Sequence, residues 1–240
     1  MSKGNGVKKE NTFKSKVNAV QIAKKRTLKP LNPRQAEYIN AINVYGTVIC
    51  IGVLGSAKTY IPACMAADFF ERKKVNRIII ARPAEGKGKS VGFFKGTKDE
   101  KLGGWCAPIT DVLKQQLGVN KYELMLENGQ VELLALEQVK GRSWDDAFII
   151  IDEAEDLDPA VAKSLVTRVG VRSKLVITGD IAQQDMLAYS GLQLLLDVAR
   201  HAELEVAIID FDSWDYCVRS AEAKAWGMGF ESFDKKHGLT

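Results

Sequence analysis

No run of eighteen apolar residues free of charge occurs in these 240 residues, so a membrane-spanning helix is not expected. The opening stretch MSKGNGVKKENTFKSK lacks the apolar segment of a secretory signal, which argues against export and for a cytoplasmic chain. Cysteine is sparse: Cys50, Cys64, Cys106 and Cys217 form no C-x-x-C pair, and only two histidines accompany them. That scarcity argues against a disulfide framework or a structural zinc site and leaves reduced, mostly buried thiols as the expectation. Acid is scarce at one end. Residues 1–29 carry nine Lys or Arg against the single acid Glu10, a local charge of +8; since the whole chain is +4, the remainder is −4. A mobile basic arm suited to phosphate backbones is one reading of residues 1–29, and a solubilising terminus without a partner is the other. No internal repeat is found.

What is present is enough apolar residue, 46% of the chain, to bury one large α/β core. Short apolar runs rich in β-branched residues, at 47–53, 77–81, 147–152, 174–178 and 205–210, read as strands buried on both faces. A shorter run at 131–136 is a candidate sixth. Helical patterns lie between them, at 34–43, 59–72, 108–117, 159–169 and 191–201, the first with Asn32 as its N-cap and Pro33 in its first turn. This alternation predicts a mostly parallel sheet with helices on both faces. The expected organisation is a basic arm at 1–29, a domain at 30–222 with a loop insertion at 84–104, and a C-terminal tail at 223–240.

The chemistry begins where the first strand ends. Residues 52–59, GVLGSAKT, nearly match the phosphate-binding pattern G-x-x-x-x-G-K-[ST] and sit between a buried strand and a helix. Backbone N–H groups of Gly52, Gly55, Ser56 and Ala57 and the helix terminus would cradle ATP phosphates, Lys58 would reach the β- and γ-phosphates, and Thr59 would hold Mg²⁺. Ala57 departs from the pattern, which has glycine there; a residue entering the helix with negative φ would accept alanine. The run at 148–153 delivers Asp152 and Glu153 at a strand end, where parallel sheets place ligands: Asp152 for Mg²⁺, Glu153 to orient or deprotonate the attacking water. A third strand ends in Thr178, Gly179 and Asp180, with Gln183 placed to hydrogen-bond a γ-phosphate.

Residues 152–155 (DEAE) and 178–185 (TGDIAQQD), with GRS at 141–143 and SGL at 190–192, resemble the PhoH-like ATPases. Arg82-Pro83, the GFFKG of 92–96, Glu100-Lys101, Pro108 and the opening NPRQ of 32–35 are similar to the same family, whose single domain is RecA-like. The resemblance implies that Gln35 reads adenine, that the cofactors are ATP and Mg²⁺, and that hydrolysis is linked to single-stranded nucleic acid, RNA over DNA. It further implies a homo-oligomeric ring, a hexamer favoured, and likeness to the short versions encoded by bacteriophages. In such a ring an arginine stabilising the transferring phosphate can come from a neighbour; Arg168, Arg142 and Arg219 are the candidates, each also readable as a surface ion-pair residue. The loop residues Lys87, Lys89, Phe93, Phe94, Lys95 and Lys98 combine charge with aromatic faces, the chemistry of single-strand binding; a lid packed on the core is the other reading. Trp105 and Trp144 read as core anchors. Against an RNA-stimulated ATPase with translocase or helicase activity stand two alternatives, a P-loop small-molecule kinase and an ATP-dependent binding or regulatory protein that does not translocate.

Overall fold

The computed structural model describes residues 27–83, 103–136, 143–183 and 189–238. Along the chain run α1 (Pro33–Val44), β1 (Thr47–Gly52), α2 (Tyr60–Glu71), β2 (Arg77–Arg82), α3 (Ala107–Leu117), α4 (Val119–Glu127), β3 (Val131–Ala135) and β4 (Ala147–Ile151). They are followed by α5 (Pro159–Val166), β5 (Lys174–Thr178), α6 (Gly191–His201), β6 (Val206–Phe211) and α7 (Ala221–His237). The six strands form one sheet in the order β3-β2-β4-β5-β1-β6, and every neighbouring pair is parallel.

Because successive strand side chains point to opposite faces, each apolar strand feeds two cores. Val48 and Cys50 of β1, Ile78 and Ile80 of β2, and Phe148 and Ile150 of β4 pack under α1 to α4. Their alternates Ile49, Ile51, Ile79, Ala81, Ile149 and Ile151 pack under α5 and α6. Burial of each such isoleucine stabilises by roughly 1.5–3 kcal/mol. An edge-to-face contact of Phe69 and Phe148, centroids 5.3 Å apart, joins α2 to the middle of the sheet. Trp144 is a core anchor, 1% exposed. All four cysteines are free; Cys50, Cys64 and Cys106 are buried.

The helix ends follow local chemistry. Asn32 Oδ1 accepts from Gln35 N at 2.9 Å, with Pro33 at the first helical position. Asp158 and Ser190 cap α5 and α6 in the same way. Two helices were not expected from the sequence. Gly118, at φ 89°, ends α3 and starts α4, a nine-residue helix burying only Tyr122 and Met125, too little periodicity to register. The stretch read as a tail is mostly α7, which buries none of its residues and contains Gly227 and Gly229. It is held from outside by Trp214, whose Nε1 donates to Glu231 at 2.5 Å, and by Lys224 on Asp215. No helix among the described residues is long and apolar enough to cross a membrane.

Candidate functional site

The order β4-β5-β1 sets the carboxyl ends of three strands side by side, and their following segments enclose a cleft of about 750 Å³. That edge of a parallel sheet is where ligands bind in open α/β folds. Residues 53–59 form the loop between β1 and α2. Its shape depends on two glycines. Gly52 stands at φ 118°, where a Cβ would collide with the Phe211 carbonyl. Gly55 stands at φ 74°, where a Cβ would come within 2.8 Å of the Arg219 side chain and 2.9 Å of the Cys217 sulfur. Val218 N donates to Gly55 O at 2.9 Å, so the segment after β6 lies across the phosphate loop.

Ala57 corrects the expectation of negative φ. The helix starts only at Tyr60, and Ala57 sits in the loop at φ 72°. For an L-residue this conformation costs about 1–2 kcal/mol. Ala57→Gly is therefore expected to raise unfolding stability by about 0.5–1 kcal/mol, the relief of strain less the extra freedom of the unfolded chain. Denaturant unfolding at constant slope checks it; equal or lower stability would contradict the strain.

The loop is braced from below. Gln35 is 2% exposed; its Nε2 donates to Ser56 O at 3.1 Å and its Oε1 accepts from Leu31 N at 2.9 Å. The residue implied to read adenine thus also ties α1 to the phosphate loop. Ser56 Oγ donates to Val53 O, and Tyr38 Oη to Lys58 O. Burial drives the phenol of Tyr38 well above its ordinary range and pushes the adjacent Cys50 thiol up to about 12, so both stay neutral. Lys58 Nζ donates to the carbonyls of Gly52 and Val53, the latter at 2.9 Å.

Opposite the loop, Asp152 is 3% exposed, and its Oδ1 accepts from Thr59 Oγ1 at 2.8 Å and from Thr178 Oγ1 at 2.6 Å. One carboxylate therefore links the segments after β1 and β4 to the last residue of β5. Glu153 follows in the left-handed region, φ 57° and ψ 47°. Its Oε1 lies 2.5 Å from an Arg82 nitrogen, and Arg82 Nε lies 3.5 Å from Asp152 Oδ2. Glu155 packs behind it and accepts from Asp180 N at 3.2 Å; burial raises its carboxyl well above the usual range, and the neighbouring Glu153 raises it further. A neutral Glu155 can donate a hydrogen bond to Glu153. Gln183 lines the cleft with its Nε2 held by Asp180 Oδ2 at 2.5 Å.

The cleft brings together Gln35, Gly55, Ser56, Ala57, Lys58, Thr59, Asp152, Glu153, Gln183 and Arg219. Arg219 lines the cleft of its own chain. Arg168 does not reach the cleft. Its carbonyl accepts from Trp144 N and its Nε donates to Ser164, beyond the C-terminal end of α5 and near the opposite edge of the sheet. Arg142, Lys87, Lys89, Phe93, Phe94, Lys95 and Lys98 lie outside the described residues. Sequence reasoning missed Arg82 and Glu155 as site residues. For Arg82 the signal was a charge closing an apolar strand at the ligand-binding edge; for Glu155, an acid one turn beyond the acidic pair.

Comparison with known proteins agrees with this arrangement. The PhoH-like protein family matches residues 27–227. The chain is 33% identical to a PhoH-like protein of Mycobacterium leprae over 197 residues, 80% of this chain and 56% of that protein. It is 32% identical to a PhoH-like protein of Bacillus subtilis over 217 residues, 90% and 66% of the two chains. Against the PhoH protein of Escherichia coli K12 it is 35% identical over 194 residues, 79% and 54%. The chain thus spans roughly half to two thirds of these relatives' length. Among solved structures, the large terminase of a thermophilic bacteriophage superposes with a TM-score of 0.53 at 12% identity, covering 81% of this chain and 48% of that one, which is likeness of fold. A phosphate loop, an acidic strand end and a parallel sheet matched to one family over residues 27–227 lead to one conclusion: this chain belongs to the PhoH-like protein family and has the P-loop NTPase fold.

Proposed function

We propose that this chain hydrolyses ATP and couples hydrolysis to the handling of single-stranded nucleic acid. The observation that carries the reading is the convergence of Lys58, Thr59, Asp152 and Glu153 on one cleft. The phosphates of ATP lie against the loop at 52–59, whose N–H groups and following helix favour anions. Lys58 exchanges the carbonyls of Gly52 and Val53 for the terminal phosphates. Glu153 accepts a proton from water as the water oxygen attacks the terminal phosphorus, while the bond to the bridging oxygen breaks to release ADP and phosphate. Gln183 meets the terminal phosphate from the β5 side, and Arg219 offsets the charge that builds on it.

Thr59 and Asp152 present a hydroxyl and a carboxylate 2.8 Å apart, hard oxygen donors suited to Mg²⁺, which takes few protein ligands and fills its shell with phosphate and water. Bound there, the cation would neutralise charge on the phosphate oxygens.

The nucleic-acid half of the reading draws on composition: the +8 charge of residues 1–29 and the lysines and paired phenylalanines of 84–104. The resemblance to the PhoH-like ATPases, and not composition, adds RNA over DNA as partner, a ring of identical subunits with six favoured, and translocation or unwinding as the output; a cytoplasmic setting completes the reading. Phosphate release measured with and without single-stranded RNA or DNA, at low and high salt, tests it. RNA is expected to raise turnover, and the stimulation to fall steeply as salt rises. Turnover indifferent to every polynucleotide removes the nucleic-acid half; no turnover under any condition removes the hydrolase.

A further inference from the structure

Glu153 follows β4, and the sheet order puts β5, β1 and the phosphate loop on one side of β4 and β2 on the other. The Glu153 carboxylate is nevertheless gripped from the β2 side. Arg82 closes β2, and the register Ala81 opposite Ile151 sets it beside the acidic pair. Its guanidinium spends each nitrogen inside the molecule: one on Glu153 Oε1 at 2.5 Å, Nε toward Asp152 Oδ2 at 3.5 Å, and one on the Trp105 carbonyl. The Arg82 side chain is 17% exposed and the Glu153 side chain 53%, so the arginine is the fixed member and the glutamate the movable one. Glu153, Lys58 and Asp152 line the cleft, and Arg82 does not. The charge-assisted hydrogen bond fixes the carboxylate toward the β2 side of β4, so Glu153 must leave the arginine before it turns toward the phosphate loop on the other side. The other neighbour of Glu153, Glu155, is itself a carboxyl and supplies no competing cation.

We propose that Arg82 is a positioning residue that holds Glu153 away from the attacking water, so that opening of the Arg82–Glu153 pair limits basal hydrolysis. The proposal rests on the hydrolase reading above and adds its restraint. A fork-shaped donor anchored on a backbone carbonyl gives the pair a defined closed state, and the exposed glutamate gives it an open one.

The test compares the whole wild-type chain with Arg82→Gln, Arg82→Lys and Glu153→Gln, reading basal phosphate release and, separately, affinity for a fluorescent non-hydrolysable ATP analogue. Arg82→Gln keeps a donor for the Trp105 carbonyl and removes the cation. It is expected to raise basal turnover roughly tenfold, the factor carried by one charge-assisted hydrogen bond, with nucleotide affinity unchanged. Arg82→Lys, a cation without the fork, is expected to fall between wild type and Arg82→Gln. Combined with Glu153→Gln, the Arg82→Gln gain disappears. Turnover that falls or stays level in Arg82→Gln, with affinity retained, overturns the proposal. Should Arg82→Gln lose its thermal unfolding transition, Arg82→Lys decides in its place: a rise supports the restraint, and a fall or no change overturns it. A wild type that binds nucleotide yet releases no phosphate defeats the hydrolase reading instead, a result separable from an active wild type slowed by the Arg82 variants.

Discussion

Glu153→Gln is expected to lower ATP turnover by roughly 10²–10⁴-fold while leaving nucleotide affinity nearly unchanged. The substitution keeps the shape of the side chain and removes its capacity to accept a proton. Glu153 follows β4 with φ 57° and lines the cleft, and it is the cleft carboxylate with the most exposed side chain. Asp152 beside it accepts from two threonine hydroxyls, and Glu155 behind it is 6% exposed and accepts from Asp180 N, so neither offers the cleft as open a carboxylate. Phosphate release and equilibrium binding, measured on the same preparation, check the expectation. Equal rates in the two proteins would argue for a nucleotide-dependent switch or scaffold in place of an ATPase. A parallel loss of affinity would show that the side chain positions nucleotide and has no part in proton transfer.

Lys58→Ala is expected to weaken ATP binding by about 10–10²-fold, the range for losing one or two hydrogen bonds between charged partners, and to depress turnover further because the same ammonium offsets charge in the transition state. Lys58 Nζ donates to the carbonyls of Gly52 and Val53 and lines the cleft. Titration with a fluorescent ATP analogue reads the binding part and single-turnover kinetics the chemical part. Undiminished affinity would mean that the lysine serves only to brace the loop through those two carbonyls. Lys29 and Arg219 also line the cleft, and the Arg219 atoms nearest Gly55 are methylenes.

Much of this was legible in the sequence for a physical reason. A strand buried on both faces must be apolar throughout, so the runs at 47–53, 77–81, 147–152 and 174–178 announced themselves; those at 131–136 and 205–210, which form the edge strands β3 and β6, carried weaker versions of the pattern. The start of α1 was readable because Asn32 stood before the first turn; Asp158 and Ser190 cap α5 and α6 by the same chemistry. Elements that bury little left little pattern: α4 buries two side chains and α7 none, and neither was anticipated. The phosphate loop, Asp152 and Glu153 were readable because each motif is a continuous stretch of chain. The conformation of Ala57 was not legible, since the sequence suggests a residue entering the helix of 59–72 with negative φ and the structure sets it in the loop at φ 72°.

The chain order of residues determined which segments are strands, which loop takes phosphate and which acids end a strand, because those properties follow from local patterns of hydrophobicity, backbone freedom and charge. Only the tertiary structure decided that Thr59, Asp152 and Thr178 share one oxygen, that Arg219 overlies its own loop while Arg168 lies away from the cleft, and that Arg82 holds Glu153. Those relations join residues tens of positions apart. They depend on the strand order and register of the sheet, which many weak contacts set together and no single stretch encodes.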